Sequence, residues 1–374
     1  MKILILSTIS GCDWAGTEEV WFQFAKHALQ AGHQVMVAAD WQIALSSQVE
    51  ELKLKGLFVS SRKVQRPMRL YLLKQKYIPD HADAIRFQPD ICLINAGSPL
   101  DLEYNPHLKV FLQHLSCKKV FFCHFNSDRL LFNNRDQVAE TFKSMSAVIF
   151  VNQENKNQLE VQLARKLSNA HVILNASRLS LSRPLPYPSM DQIYFANVAR
   201  LDTFWKGQDL LPQVFSSAEW SDRNCSMELF GTGADRDYIE SLIYLFQATQ
   251  KVRLIGYERS VEKIWLHRHM LILPSRGEGT PLAAIEAMMC GRPVVATAVG
   301  GNEEVIEDGV TGFIAEAPTR KSLTSTMERA WKCKDMWKEM GERAHAKAVE
   351  LVKRSPEAML LNTLQEIAEN AYSK

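Results

Sequence analysis

At 374 residues and 46% hydrophobic, the chain can bury a large core, and its length favours two domains over one. A net charge of +2 is far too small for a global nucleic-acid field, and the apolar runs are of strand length, so neither a nucleic-acid partner nor a membrane span is expected. Seven cysteines, an odd number without a C-x-x-C pair, fit a reducing, cytoplasmic compartment in which most are packed as small apolar residues.

The first element, KILILS at 2–7, reads as a buried strand. ISGC at 9–12 has the look of a lipoprotein cleavage box, but its apolar lead runs only from Ile3 to Leu6 behind one basic residue, Lys2. A secretory apolar region needs roughly 7–15 residues. GCDWAGTE at 11–18 spaces Gly11 and Gly16 like a phosphate-binding P-loop, yet Thr17 and Glu18 stand where Lys and Ser or Thr are required. That excludes an NTPase, and no G-x-G-x-x-G fits the loop. Two readings remain: a turn whose N–H groups weakly attract anions at a helix start, or a plain strand-to-helix turn.

Gly16–Ala31 reads as the first crossover helix, stopped by Gly32. QVMVAA, DICLIN, KVFFCH, AVIFVN and HVILN read as further strands, so βα units and a parallel sheet are expected. SRKVQRPMRLYLLKQKY at 61–77 carries six basic residues and no acid. A basic amphipathic helix can lie on an anionic membrane surface without spanning it; a solvated positive face is the commoner outcome for such a run.

SRPLPYPSMD at 182–191 holds three prolines and is the best linker in the chain. A second strand series follows: IYFANV, CSMELFG, VRLIG, MLILP, PVVAT and GFIAE. Domain bounds of 1–182 and 183–354 are therefore expected, with a last helix, 355–374, whose N-cap and first-turn pair is Ser355–Pro356. Two doubly wound α/β domains facing across a cleft bind ligands beyond the carboxyl ends of their strands.

Three loops of the second series stand out. NVARLDTFWKGQDLL puts Arg200 at a strand end and Lys206 before the next helical pattern, a fork and a point charge suited to phosphate oxygens. FGTGAD, with Gly231, follows a strand and opens a helix, a common kind of turn. In RGEGTPLAAIEAMMCGRPVV, Thr280 can cap a helix and Pro281 suits its first position. Leu282, Ile285 and Met289 then form the core-facing stripe, and Glu286 falls at its edge, where a carboxylate costs free energy unless something pairs with it. His267 and His269 sit at a helix-to-strand junction and read as structural; no metal set is apparent.

Read through ELFGTG, VRLIGYERSVEKIW and the run E-G-x-P-L-x-x-x-E-A-M-x-C-G-x-P-V-V, residues 193–320 resemble the retaining glycosyltransferases of the GT-B fold, family four, which use nucleotide sugars. The first domain is similar more loosely, through GTEEVWFQFAKHALQAGHQV and the His124 loop. The resemblance implies Glu278 beside hydroxyls of the donor sugar and Glu286 on the ribose hydroxyls. It implies the N–H groups of Gly279, Thr280 and Leu282 on the diphosphate, with Pro281 contributing shape, and Gly16 and Gly231 in the donor loops. Arg200 and Lys206 map to the basic pair on the diphosphate, one residue further apart than in many members. His124 maps to a histidine near the donor sugar and the reacting centre, though a lone His after a strand is ordinarily structural. Tyr257 or Glu258 is placed beside the nucleobase. The loop reads Ala15–Gly16 where many members have Gly-Gly, and Leu174-Asn175-Ala176 replaces their Pro-Asn-Gly.

A carboxylate-pair hydrolase is disfavoured: eight helical residues separate two Cα atoms by roughly 12 Å, against about 5–9.5 Å between hydrolytic carboxyls. The expectation is an enzyme moving a hexose-type sugar from a UDP- or GDP-sugar to a glycan or lipid-linked acceptor with retention, needing no metal or other cofactor. A sugar-nucleotide epimerase of the same fold and a non-catalytic nucleotide-sugar binding module are the alternatives.

Overall fold

The computed structural model describes residues 1–9, 14, 16–62, 82–175, 177 and 179–369. Gly11, Cys12, Asp13 and Ala15 of the first loop, Ala176, and the basic segment from Lys63 to Tyr77 lie outside the described residues. Contacts divide the chain into two units, Met1–Leu174 with Ser355–Lys374, and Asn175–Arg354. The break thus falls at Leu174, and the proline-bearing stretch 182–191 belongs with the second unit, where the Leu185 N–H donates to the Cys290 carbonyl.

In the first unit the strands are β1 (Lys2–Ser7), β2 (Gln34–Asp40), β3 (Phe58–Arg62), β4 (Ile91–Ala96), β5 (Lys118–Cys123), β6 (Ala147–Phe150) and β7 (Ala170–Val172). They pair in parallel in the order β3-β2-β1-β4-β5-β6-β7. Both faces are covered, which is why β4 reads ICLINA with every residue buried. One face packs Ile3, Ile5, Val37, Leu93 and Phe122 against Trp21 and Phe24 of the Gly16–Gln30 helix and Leu360, Leu361 and Leu364 of the Pro356–Glu369 helix. The chain's last helix thus completes the first unit's core. The unforeseen strand is β3, FVSSR, an edge strand too polar to stand out from its surroundings.

The second unit holds β8 (Ile193–Val198), β9 (Cys225–Phe230), β10 (Val252–Gly256), β11 (Met270–Leu273), β12 (Val294–Thr297) and β13 (Gly312–Ala315). Their parallel order, β10-β9-β8-β11-β12-β13, repeats the pattern of the first sheet. Its core centres on Phe195, ringed by Phe215, Trp220 and Trp337 at centroid distances of 5.7–5.8 Å in edge-to-face contact. Arg292 is fully buried without a carboxylate. Its guanidinium donates to the carbonyls of Leu185, Pro186, Trp265, Arg268, Cys290 and Gly291 and lies over the Tyr187 ring. Among the described residues no helix is long and apolar enough to cross a membrane.

Leu364 is fully buried although it lies ten residues from the chain's end. Leu364→Ala should lower stability by about 2–5 kcal/mol, the cost of a core cavity. Urea denaturation followed by fluorescence checks it; a loss below about 1 kcal/mol would mean that the last helix contributes little to the core.

Candidate functional site

In a sheet ordered this way, connections leave in opposite directions on either side of the first strand, and a crevice opens at the carboxyl ends there. In the second unit that point lies between β8 and β11. Their ladder has two registered pairs, Met270 with Phe195 and Leu271 with Ala196. Beyond it the Asn197 side-chain amide donates to the Ile272 carbonyl at 2.8 Å, so the strands stay tied while they part. The loops after β8 and β11 carry six of the anticipated residues: Arg200 and Lys206 on one, Glu278, Gly279, Thr280 and Pro281 on the other.

Lys206 and Glu278 meet across this point. The Lys206 Nζ donates to both carboxylate oxygens of Glu278 at 2.9 Å, and the Ser275 Oγ donates to Oε1 at 2.6 Å. The Glu278 side chain is 8% exposed and that of Lys206 25%. Several groups hold the loops in place. The Arg276 guanidinium forks onto Asp209, which raises its pKa, and also donates to the Thr203 carbonyl, while the Arg276 N–H donates to the Trp205 carbonyl. Asp235 accepts from the N–H and hydroxyl of Thr203, hydrogen bonds that lower its pKa.

Gly207 ends the Thr203–Lys206 helix at φ +65°, and a Cβ there would lie 2.0 Å from the Pro274 carbonyl oxygen, so only glycine lets the two loops touch. Gly231, at φ +138°, has the same relation to the Ala199 carbonyl. Its glycine character is thus accounted for by loop packing.

Arg200 differs from Lys206. Its side chain is 68% exposed and ion-paired with Asp202, the residue whose carboxylate also caps the Thr203–Lys206 helix. Both basic side chains are therefore matched by a carboxylate of the chain, and the four groups together are neutral. Tyr257, after β10, is 75% exposed; Glu258 accepts from the Ser260 N–H.

The Leu282–Met289 helix begins one residue later than its sequence suggests. Pro281 occupies the N-cap position without a side-chain cap, and Thr280 instead accepts from the Asn175 N–H at 3.2 Å. The Leu282 N–H donates back to the Thr280 carbonyl at 2.9 Å, so it is engaged within the turn. Ile285 and Met289 are fully buried, while Leu282 is half-buried. Glu286 accepts from the Ser177 hydroxyl at 3.1 Å. Burial raises the Glu286 pKa, and that single hydrogen bond only partly opposes the shift.

The first unit carries its own cluster at the corresponding point, between β1 and β4. Glu18 is fully buried and accepts from the Ser7 and Thr17 hydroxyls at 2.8 and 2.6 Å. It lies in the first turn of the Gly16–Gln30 helix, so a carboxylate of the chain already answers that helix's positive end. Gly16 is exposed, with nothing within 4 Å of an added Cβ. His124 follows β5, is buried, and bonds through Nε2 to the Asn95 Oδ1 at 2.7 Å. Desolvation pushes its pKa down to about 3, so the ring is neutral.

Ser275, Arg276, Asp209, Ser177 and Asn95 escaped sequence reasoning. Ser275 and Arg276, next to the glutamate motif, gave the one available signal. His269 bonds the Tyr194 N–H and the Ser189 carbonyl and is structural. Among the described residues no three His, Cys, Asp or Glu side chains are grouped as a metal set.

Two outcomes are expected. Lys206→Met should cost about 2–3 kcal/mol, less than the roughly 3–5 of a fully buried pair because a quarter of Lys206 meets water. Glu278→Gln in the same chain should recover most of that loss, and additive losses in a double-mutant cycle would refute the coupling. For Glu286, the folded pKa lies above the unfolded one, so its proton favours the folded state. Stability from this group is full below the ordinary glutamate range and falls as pH rises through the raised pKa. Glu286→Gln should flatten that fall; denaturation midpoints of both proteins across the window check it.

Residues 186–347 match the family model for glycosyl transferases group 1. One subunit of phosphatidylinositol N-acetylglucosaminyltransferase, from Homo sapiens, is 29% identical over 185 residues, 49% of this chain and 38% of that protein. N-acetyl-alpha-D-glucosaminyl L-malate synthase of Bacillus anthracis is 30% identical over 122 residues, 33% of this chain and 32% of that one. The chain thus spans well under two thirds of the length of these curated relatives. Among solved structures, HepE of Anabaena in complex with UDP-glucose gives a TM-score of 0.76 at 18% identity, covering 98% of this chain and 100% of that one. Sucrose-phosphate synthase of Thermosynechococcus elongatus gives 0.75 at 16% identity, covering 99% and 100%. At such identities the likeness is one of fold. With that fold shared over nearly its whole length and its second unit matched by the family model, the chain is a GT-B-fold protein related to glycosyl transferases group 1.

Proposed function

We propose that the protein is a retaining, metal-independent glycosyltransferase that moves a hexose-type sugar from a UDP- or GDP-sugar to a glycan or lipid-linked acceptor. The observation that carries the reading is the meeting of Lys206, Glu278 and Ser275 between β8 and β11, with Arg200 on the same loop as Lys206. This is where a doubly wound sheet takes a nucleotide. UDP and UDP-glucose in the HepE complexes support the choice of donor class.

In this reading Lys206 and Arg200 stabilise the charge that develops as the nucleoside diphosphate leaves, an electrostatic contribution already in place before reaction. Binding a diphosphate exchanges carboxylate partners for phosphate oxygens at both cations. Glu278 then turns toward sugar hydroxyls and Glu286 accepts from the ribose, whose hydroxyls relieve a desolvated carboxylate. The leaving phosphate takes the acceptor's proton on the same face. Gly279 and Thr280 contribute N–H groups, and Tyr257 lies toward the base. Peripheral membrane contact through residues 61–77 would bring a lipid-linked acceptor to the enzyme.

Titration calorimetry with UDP and with GDP in EDTA tests the donor site. One nucleotide should bind without metal, and Glu286→Ala should weaken it by about tenfold or more, the loss of hydrogen bonds to a charged group. Arg200→Ala should leave binding nearly intact and slow transfer, on the order of 10²-fold. Unchanged kinetics and binding in both variants would overturn the assignment.

A further inference from the structure

The two partners of the Lys206–Glu278 pair are not equally easy to replace. Among the described residues the hydrogen-bond donors to the Glu278 carboxylate are Lys206, 2.9 Å from both oxygens, and Ser275, 2.6 Å from Oε1. An anion that draws Lys206 away leaves a buried carboxylate with one neutral donor. Leaving one charge of such a pair buried without its partner is the costly part of breaking it. A ligand with an anion alone therefore works against the site it enters.

The surroundings hold the carboxylate where it is. A Cβ on Gly300, at φ +54°, would lie 2.0 Å from the Glu278 carbonyl oxygen and 3.0 Å from its Cβ, so the loop after β12 packs directly on this residue. Ser275 is fixed as well. Its carbonyl accepts from the Thr297 hydroxyl at 2.6 Å, and the Thr297 carbonyl accepts from the Asn302 amide at 2.8 Å. Arg200 and Asp202 form the contrasting pair. Both are more exposed than their counterparts, and Asp202 keeps the Trp205 N–H when Arg200 turns away, so that exchange costs little.

We propose that Glu278 is a built-in competitor for Lys206, which makes the second unit select a ligand carrying an anion and a hydroxyl donor together, a sugar joined to a diphosphate, over a bare diphosphate. The anion takes the lysine and the hydroxyl takes the lysine's place on the carboxylate, so neither charge is left unmatched. Once the sugar has gone, Lys206 returns to Glu278 and the diphosphate loses a cation. The sugar diphosphate as ligand rests on the transfer reading above; the competition does not.

Titration calorimetry of the full chain tests it, with inorganic pyrophosphate, UDP, GDP, UDP-glucose and GDP-mannose as probes. Glu278→Gln removes the competitor and should bind pyrophosphate and the preferred nucleoside diphosphate about tenfold more tightly than the wild type. The nucleotide sugar should gain little, because the same change weakens the acceptor for its hydroxyl. Ser275→Ala should act in the opposite direction. It strips the last donor from the carboxylate in the diphosphate complex, so bare diphosphates should bind about three- to tenfold more weakly, and the nucleotide sugar should lose less. Asp202→Asn keeps a capping residue and removes one negative charge nearby; it should change pyrophosphate binding by less than about threefold.

No gain in Glu278→Gln, or an equal gain in Asp202→Asn, would overturn the proposal. Where Glu278→Gln fails to fold, Ser275→Ala decides it: diphosphate binding that is unchanged or tighter would overturn it as well. Diphosphate and nucleotide sugar responding alike in the variants would refute the selection. Pyrophosphate responding as expected, with no nucleotide or nucleotide sugar bound by any of the proteins, would sink the transfer reading and leave the competition standing.

Discussion

A carboxylate buried as deeply as Glu278 has to be paired, here by a cation, and much of the second unit's architecture follows from that one ion pair. The cation, Lys206, reaches it from a different loop, so the loops after β8 and β11 must lie close. Gly207 permits the approach and Arg276 holds it, through its backbone to Trp205 and its guanidinium to Asp209. Even the truncated ladder between β8 and β11 fits, since a sheet zipped to its end would leave no gap for side chains to bridge.

The two units answer the same topology with different chemistry. Both sheets open at their first strand, and both keep a buried acid there. In the second unit the acid is paired with a lysine. In the first, Glu18 is held by the neutral hydroxyls of Ser7 and Thr17, at the positive end of a helix. Neutral donors stabilise a carboxylate without placing a cation nearby, and His124 stays neutral beside them because burial disfavours its charged form.

The strands were legible because sheets covered on both faces need near-continuous apolar runs, and KILILS, DICLIN and CSMELF carry them. FVSSR is half polar and lies at an edge, so it carries no such signal. Arg200, Lys206, Glu278 and Glu286 were visible as charged residues beside strand ends and a helix start. Their pairing was not, because spacing records no direction: nothing in the sequence says that Lys206 turns to Glu278 while Arg200 turns to Asp202. The cap at Thr280 failed for a related reason. Its hydroxyl had a long-range donor, the Asn175 N–H, that local rules do not see. Asn95 closes the apolar run DICLIN, and nothing in that position signals a bond to a histidine on the neighbouring strand's loop.

Arg292 carries a consequence for the order in which the second unit is completed. Its six carbonyl acceptors come from residues 185, 186, 265, 268, 290 and 291, all earlier in the chain than the guanidinium they surround. During synthesis from the amino terminus, that ring of acceptors has nothing at its centre until residue 292 has been added. The segment that enters the unit at Leu185 and Pro186 is thus locked by a group made more than a hundred residues later.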